Sequence, residues 1–326
     1  MKSPASWAAG REALPSRLHY WALLRRAGLA LLCTCGLLVP APSFAQEKTR
    51  RKALRQSGEA GGDEKEPCPG KRVKTAEATY RHYTVRVYRS TTSNGCFEIL
   101  HDGRRALARN GYLFSIGGSA VAADESSSRV KMGTDVTGEG QPDLVMGEWT
   151  GGAHCCFLLR VYEIGEKFRQ VADLDLKDTS DPQIADLDGD GKFEVVIADW
   201  TFSYWHSSFA DSPAPQVILR FRDGAFHLAA DLMRTAPPPP PELEAKARQI
   251  RDHAPWTEGS DPPVALWGAM LDLIYGGNAK LAWTFLDDAW PATRPGKEIF
   301  LQEFRAQLAA SPYWTDLQAL NASPAN

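Results

Sequence analysis

The chain has 326 residues, 37 of them basic and 40 acidic, for a net charge of −3. With 43% apolar and 24% charged residues it reads as a folded globular protein, which excludes collagen, a coiled-coil rod and wholesale disorder. The charge is unevenly spread. Five basic residues and one acid lie in the first 45 positions, so the other 281 carry 32 basic and 39 acidic residues and give no general attraction to nucleic acid.

Arg25 and Arg26 precede an apolar run over 27–39, which Pro40 and Pro42 break. Ser43 and Ala45 then place small residues at positions −3 and −1 of a cleavage point, so residues 1–45 read as a secretory signal peptide. The run is too short to span a bilayer comfortably. The expected product is periplasmic or secreted and not an integral membrane protein. Residues 46–75 are polar and basic and read as a flexible leader.

Four cysteines follow the signal: Cys68, Cys96, Cys155 and Cys156. An even number in an exported chain predicts disulfides. A bridge between neighbours strains the peptide joining them, so the expected bridges tie the N-terminal part to the 155/156 loop.

The region 76–234 reads as a β domain. Residues 80–88 alternate with period two, Asn94-Gly95 is a hairpin signature, and 96–100 is a second strand. Further on the sequence repeats at an offset of 51. The first copy runs from Asp135 through Thr137, Glu139 and Asp143 to Leu144-Val145-Met146, Glu148 and Trp149. The second runs from Asp186 through Asp188, Asp190, Lys192 and Glu194 to Val195-Val196-Ile197, Asp199 and Trp200. Each copy continues into two more strands, at 157–164 and 168–174 in the first and at 216–221 and 226–232 in the second. A unit of about 50 residues with four strands has the size of a propeller blade.

Asp186, Asp188, Asp190 and Glu194 present alternating carboxylates around Gly189 and Gly191, and the Lys192 carbonyl adds an oxygen. Ca2+ takes about six to eight oxygens, so this loop is the better structural calcium site. The loop with Asp135, Thr137, Glu139 and Asp143 is the poorer one. The alternative is an Asp/Gly turn held by side-chain-to-backbone hydrogen bonds without metal.

The acidic loop followed by a short apolar strand resembles the calcium-loop units of FG-GAP/VCBS-type repeats, known from integrin-like β-propellers, over roughly residues 130–232. The resemblance implies the acids of both loops as metal ligands. It also implies a mainly β fold, an atypical or partial β-propeller-like repeat domain, with a small all-α domain after it. The name-giving Phe-Gly and Gly-Ala-Pro pair is not well preserved.

Pro237 to Pro241 read as a stiff spacer over 235–241. The segment 242–320 has helical periodicity in three or four stretches, with Asn278 as a cap and five tryptophans expected mainly in the core. Chemistry is less legible. Glu148 and Trp149, with Asp199, Trp200 and His206, form the expected ligand-contact set, and His154 and His206 read as polar loop residues. Neither a GxSxG elbow nor HExxH occurs. The expected function is an exported binding or structural module with calcium-stabilised β repeats, meeting an envelope protein or a glycan. The competing expectation is a cell-envelope hydrolase using Asp199 and His206.

Overall fold

Among the described residues, hairpin chemistry and alternating burial build three antiparallel sheets of four strands each. The computed structural model describes residues 68, 72–90, 94–119, 130–153, 155–256 and 261–322. The expected signal peptide, most of the leader and His154 lie outside the described residues.

The first sheet runs β1 (Arg72–Tyr80), β2 (Tyr83–Ser90), β3 (Gly95–His101) and β4 (Arg104–Gly111), in chain order. The alternation expected over 80–88 is interrupted where Arg81 takes φ 50°, making a turn that starts β2 at Tyr83. The second sheet is β5 (Leu113–Ile116), β6 (Asp143–Trp149), β7 (Phe157–Ile164) and β8 (Phe168–Lys177). The third is β9 (Gln183–Ala185), β10 (Glu194–Ala198), β11 (Gln216–Arg222) and β12 (Ala225–Leu228).

Six helices follow among the described residues: α1 (Ala230–Met233), α2 (Pro240–His253), α3 (Val264–Tyr275), α4 (Ala279–Ala289), α5 (Lys297–Ala309) and α6 (Trp314–Ala322). The strand expected over 226–232 stops at Leu228, whose N–H donates to Asp316 Oδ2 on α6, and the chain turns into α1. Pro240 and Pro241 open α2, because the first turn of a helix needs no N–H partner. Asn278 precedes α4 without capping it through its side chain; its amide donates instead to the Thr235 and Gly276 carbonyls.

The middle sheet explains the stacking. Leu144 and Met146 of β6 and Tyr162 and Ile164 of β7 face one cluster, with Val85, Val87, Phe97 and Ile99 of the first sheet. Val145 of β6 and Leu159 and Val161 of β7 face the other, with Val195, Ile197, Val217 and Leu219 of the third. A strand buried on both sides needs apolar residues at successive positions, hence the unbroken Leu144-Val145-Met146 run. The second cluster continues into the helical layer through Phe202, which is fully buried beside Trp267 (5.7 Å) and Phe304 (5.3 Å). Trp267 and Trp290 are core residues, as expected.

This arrangement overturns the partial propeller. Each sheet is open and separate, with strands in simple chain order and no pairing that joins one sheet to the next among the described residues. A β-rich N-terminal region is followed by an α-helical C-terminal region. The two-sided apolar pattern of β6 and β7 encodes stacked layers, which the spacing of the repeat alone does not distinguish from blades.

Candidate functional site

Both acidic loops fold by one hydrogen-bond scheme. Asp186 accepts the Gly189 N–H (2.7 Å) on Oδ1 and the Gly191 N–H (3.0 Å) on Oδ2. Asp135, 51 positions earlier, accepts those of Gly138 (2.8 Å) and Gly140 (2.7 Å). The four glycines have φ between 69° and 84°, a left-handed conformation that glycine adopts without a Cβ clash. The last acid of each loop reaches back to its start. Glu194 Oε2 accepts the Leu187 N–H (2.9 Å), and Asp143 Oδ2 accepts those of Val136 (3.0 Å) and Thr137 (3.1 Å) with the Thr137 hydroxyl (3.1 Å).

The loops part company in their charges. In the second, Asp186, Asp188 and Glu194 bring carboxylate oxygens within 4.8 Å of one another, an all-oxygen set that could coordinate a divalent cation. Arg220, across from Glu194 on β11, already reaches this cluster. Its guanidinium donates to Glu194 (2.6 Å), Asp188 (2.6 Å) and Asp231 of α1 (3.1 Å). Burial works against this charge, but the bonds to Glu194 and Asp231 outweigh it and hold the arginine's pKa above its ordinary value. Asp190 stands outside the cluster, its Oδ1 taking the Lys192 N–H (2.8 Å) and its other oxygen 3.8 Å from the Lys192 ammonium.

In the first loop the residue across from Asp143 is Glu163, which pairs with Arg169 (2.7 Å). Arg169 also takes Glu139 (2.9 Å), and no basic side chain pairs with Asp143 among the described residues. Asp143 is 1% exposed, and its Oδ1 has no hydrogen-bond partner among the described residues. Burial pushes its carboxyl up to about 6, beyond what its hydrogen bonds from Thr137 and Val136 recover, and the Asp135 charge adds to the rise.

Both disulfides that the structure forms differ from the expected pairing. Cys68 joins Cys96 of β3, and Cys155 joins its neighbour Cys156, where Cys156 takes φ 84°. The tight β6–β7 connection supplies that backbone turn, with the Thr150 N–H (2.9 Å) and hydroxyl (3.0 Å) both donating to the Cys156 carbonyl.

The expected ligand-contact residues separate. Glu148 is buried against Arg160, and the Trp149 indole donates to the Gly152 carbonyl (3.2 Å) and packs edge-on against Tyr112 (4.8 Å). His206 pairs with Asp261 (2.6 Å) and lies 3.7 Å from Glu303. It shares no hydrogen bond with Asp199, so the acid–histidine pair of the hydrolase reading is not assembled. Asp199, 3% exposed, instead clamps the 199–201 turn to the helices. Its Oδ1 accepts the Thr201 N–H (2.9 Å) and hydroxyl (2.5 Å); its Oδ2 accepts Tyr275 of α3 (2.6 Å) and Ser311 (2.5 Å). Burial, together with the Asp199 charge, pushes the Tyr275 phenol well above its ordinary pKa.

Above this clamp lies a cleft of about 900 Å3. Its lining draws on β8, on α5, α6 and the turn between them, and on Trp200, Phe226 and Tyr313. The Trp200 ring is fixed by stacking on Phe209 (5.2 Å) and by its N–H on the Thr179 hydroxyl (3.1 Å). Gln307 donates to the Thr201 carbonyl and ties α5 to the floor. Asp316 closes one end with His227 (3.2 Å). The expectation named Asp199 and Trp200 of this site but none of its helical wall, because no local pattern marks a contact across a hundred residues.

No family model matches the chain, and neither a curated protein nor a solved structure matches it. With the sheets open, the FG-GAP/VCBS resemblance is withdrawn, and so is the module built of calcium-stabilised propeller repeats. The acidic Asp186, Asp188 and Glu194 cluster remains on its own geometry. No helix of the described residues is long and apolar enough to cross a membrane.

Proposed function

We propose that the protein works by holding a small molecule in the cleft between β8 and the α5–α6 turn, without turning it over. The observation that carries this reading is the cleft itself: about 900 Å3, with Trp200, Phe226 and Tyr313 in a lining that also carries Asp173, Asp175, Asp199 and Asp316. A concave site that pairs aromatic surface with polar groups able to orient a ligand is a usual build for small-molecule binding. Binding is favoured over turnover because the buried acid is fully engaged. All four of the hydrogen bonds that Asp199 accepts hold protein groups together, and His227 is held by Asp316. The two disulfides support an exported, periplasmic or secreted setting.

The test is a screen of small neutral and charged compounds against the full chain by amide chemical shifts. Hits should move the signals of Ala198, Thr201, Phe226 and Thr315 and stay chemically unchanged. Hits that gather elsewhere, or that are consumed at a rate lost in Asp199→Asn, would overturn it.

A second ligand is favoured by the hard-oxygen donors at Asp186, Asp188 and Glu194: a Ca2+ ion in that one loop, competing with Arg220 for Asp188 and Glu194. Calorimetry with CaCl2 should give a binding heat that Asp188→Ala abolishes. Equal heats in the two proteins would sink the assignment.

A further inference from the structure

We propose that the occupant of the cleft is a small organic cation, an amine or quaternary ammonium compound; this rests on the cleft being the binding site. Two buried carboxylates have no cationic partner among the described residues, Asp143 in the first loop and Asp199, and only Asp199 lines the cleft. Glu148 has Arg160, and Glu194 has Arg220. Asp199, equally buried, accepts only from neutral groups: a backbone N–H and the hydroxyls of Thr201, Tyr275 and Ser311. Its charge is solvated by dipoles and balanced by nothing within bonding distance, and it lies at the lining of the cleft.

The other acids of the lining each face a basic side chain, with Arg160 shared between Asp173 and Glu148. Asp173 has Arg160 (3.3 Å), Asp175 has Lys177 (2.6 Å) and Asp316 has His227 (3.2 Å). The lining thus sets four aspartates against one lysine, and Asp199 is the one whose partners are all neutral, in a desolvated place where a charge acts further than it does in water. The Tyr313 phenol registers that field: burial first, then the Asp199 and Asp175 charges, raise its pKa.

The walls suit a cation as well. Trp200, Phe226 and Tyr313 offer aromatic surface, and a ring face attracts an ammonium through its quadrupole. Trp200 is immobilised by Phe209 and Thr179, so its ring needs no ordering on binding. Because the Asp199 oxygens are all engaged, the ligand's charge need not reach them through an N–H. A quaternary nitrogen without any N–H satisfies the site as well as an amine. An anion would meet repulsion from Asp199 and find the Gln307 amide committed to Thr201.

Three probes of one shape separate the outcomes: choline, its neutral isostere 3,3-dimethylbutan-1-ol, and the anionic 3,3-dimethylbutanoate. Each is titrated into the full chain with amide shifts and calorimetry as readouts. Choline should shift the signals of Ala198, Thr201 and Phe226 and bind about tenfold or more tightly than the alcohol, with no binding of the carboxylate. Asp199→Asn should cut choline affinity by about tenfold and leave the alcohol unchanged, since hydroxyl partners can reorient around an amide. If that variant fails to fold, Trp200→Leu serves: choline loses the ring face and the alcohol loses only contact area. Equal binding of choline and alcohol, or preference for the carboxylate, overturns the cation while leaving the cleft as the site. Shifts confined to other parts of the molecule, or none with any probe, overturn the cleft and the cation together.

Discussion

The two acidic loops are built alike and charged differently. The loop at 135–143 and the loop at 186–194 share the Asp clamp on two glycine N–H groups and the returning acid at the ninth position. Across the sheet from that acid sits Glu163 in one and Arg220 in the other. The loop richer in acids thus carries its own counter-ion, and the poorer one holds the carboxyl oxygen without a partner. A count of carboxylates ranks the loops by ligand supply, whereas the need for a cation depends on the residue one strand away.

The largest effect should come from Glu194→Ala, which strips a buried partner from Arg220. We expect a loss of about 3–5 kcal/mol in urea unfolding. Asp143→Ala removes a charge that is already poorly placed and should cost less; equal losses would break the contrast between the loops.

Protonation sharpens it next. The folded pKa of Asp143, raised to about 6, lies above the ordinary 3.8, so the native state holds this proton more firmly than the unfolded chain. Stability should therefore fall as pH rises from about 4 to about 6, by up to roughly 3 kcal/mol for this group. Asp143→Asn, measured beside the wild type in chelator, should lose that slope. An unchanged slope would show that the carboxyl is better satisfied than its lone oxygen implies.

Arg220→Gln removes the internal competitor from the second loop. Calcium affinity by calorimetry should rise about tenfold, equivalent to about 1.4 kcal/mol. A fall would mean that Arg220 orders the ligands more than it competes for the charge. The smallest effects belong to Asp135→Ala and Asp186→Ala. Each deletes one solvent-exposed clamp on two N–H groups, and each should cost about 1 kcal/mol. Markedly unequal costs would show that the shared scheme is not equally important in both loops.

Much of the chain order was legible. Apolar runs and turn residues located β6, β7, β10 and β11, and the helical periods located α2 to α5 to within a few residues. These are local signals, set by which faces are buried and which residues tolerate a turn. Three features were hidden for a common reason. Leu144-Val145-Met146 is compatible with a blade or a layer, and only the partners on both sides decide. The aspartate at 199 looked like an acid for chemistry beside His206, until Tyr275 and Ser311 arrived from 76 and 112 residues away. Arg220 carries no motif at all. Its meaning comes from strand register, which pairs it with Glu194. At the disulfides the expectation weighed the strain of a vicinal bridge but not a connection that already turns back at Cys156.

That vicinal bridge has a consequence for the covalent map of the molecule. A bond between neighbours closes a ring around one peptide unit and fastens no distant segments together. The long-range cross-link that the described residues contain is Cys68–Cys96, which spans 28 positions. Under denaturing, non-reducing conditions, a protease cut between those two cysteines should leave the pieces joined, while a cut after Cys96 at any bond but the Cys155–Cys156 peptide should free them. Past β3, among the described residues, the sheets and helices are kept together by packing, hydrogen bonds and ion pairs, with no disulfide between them.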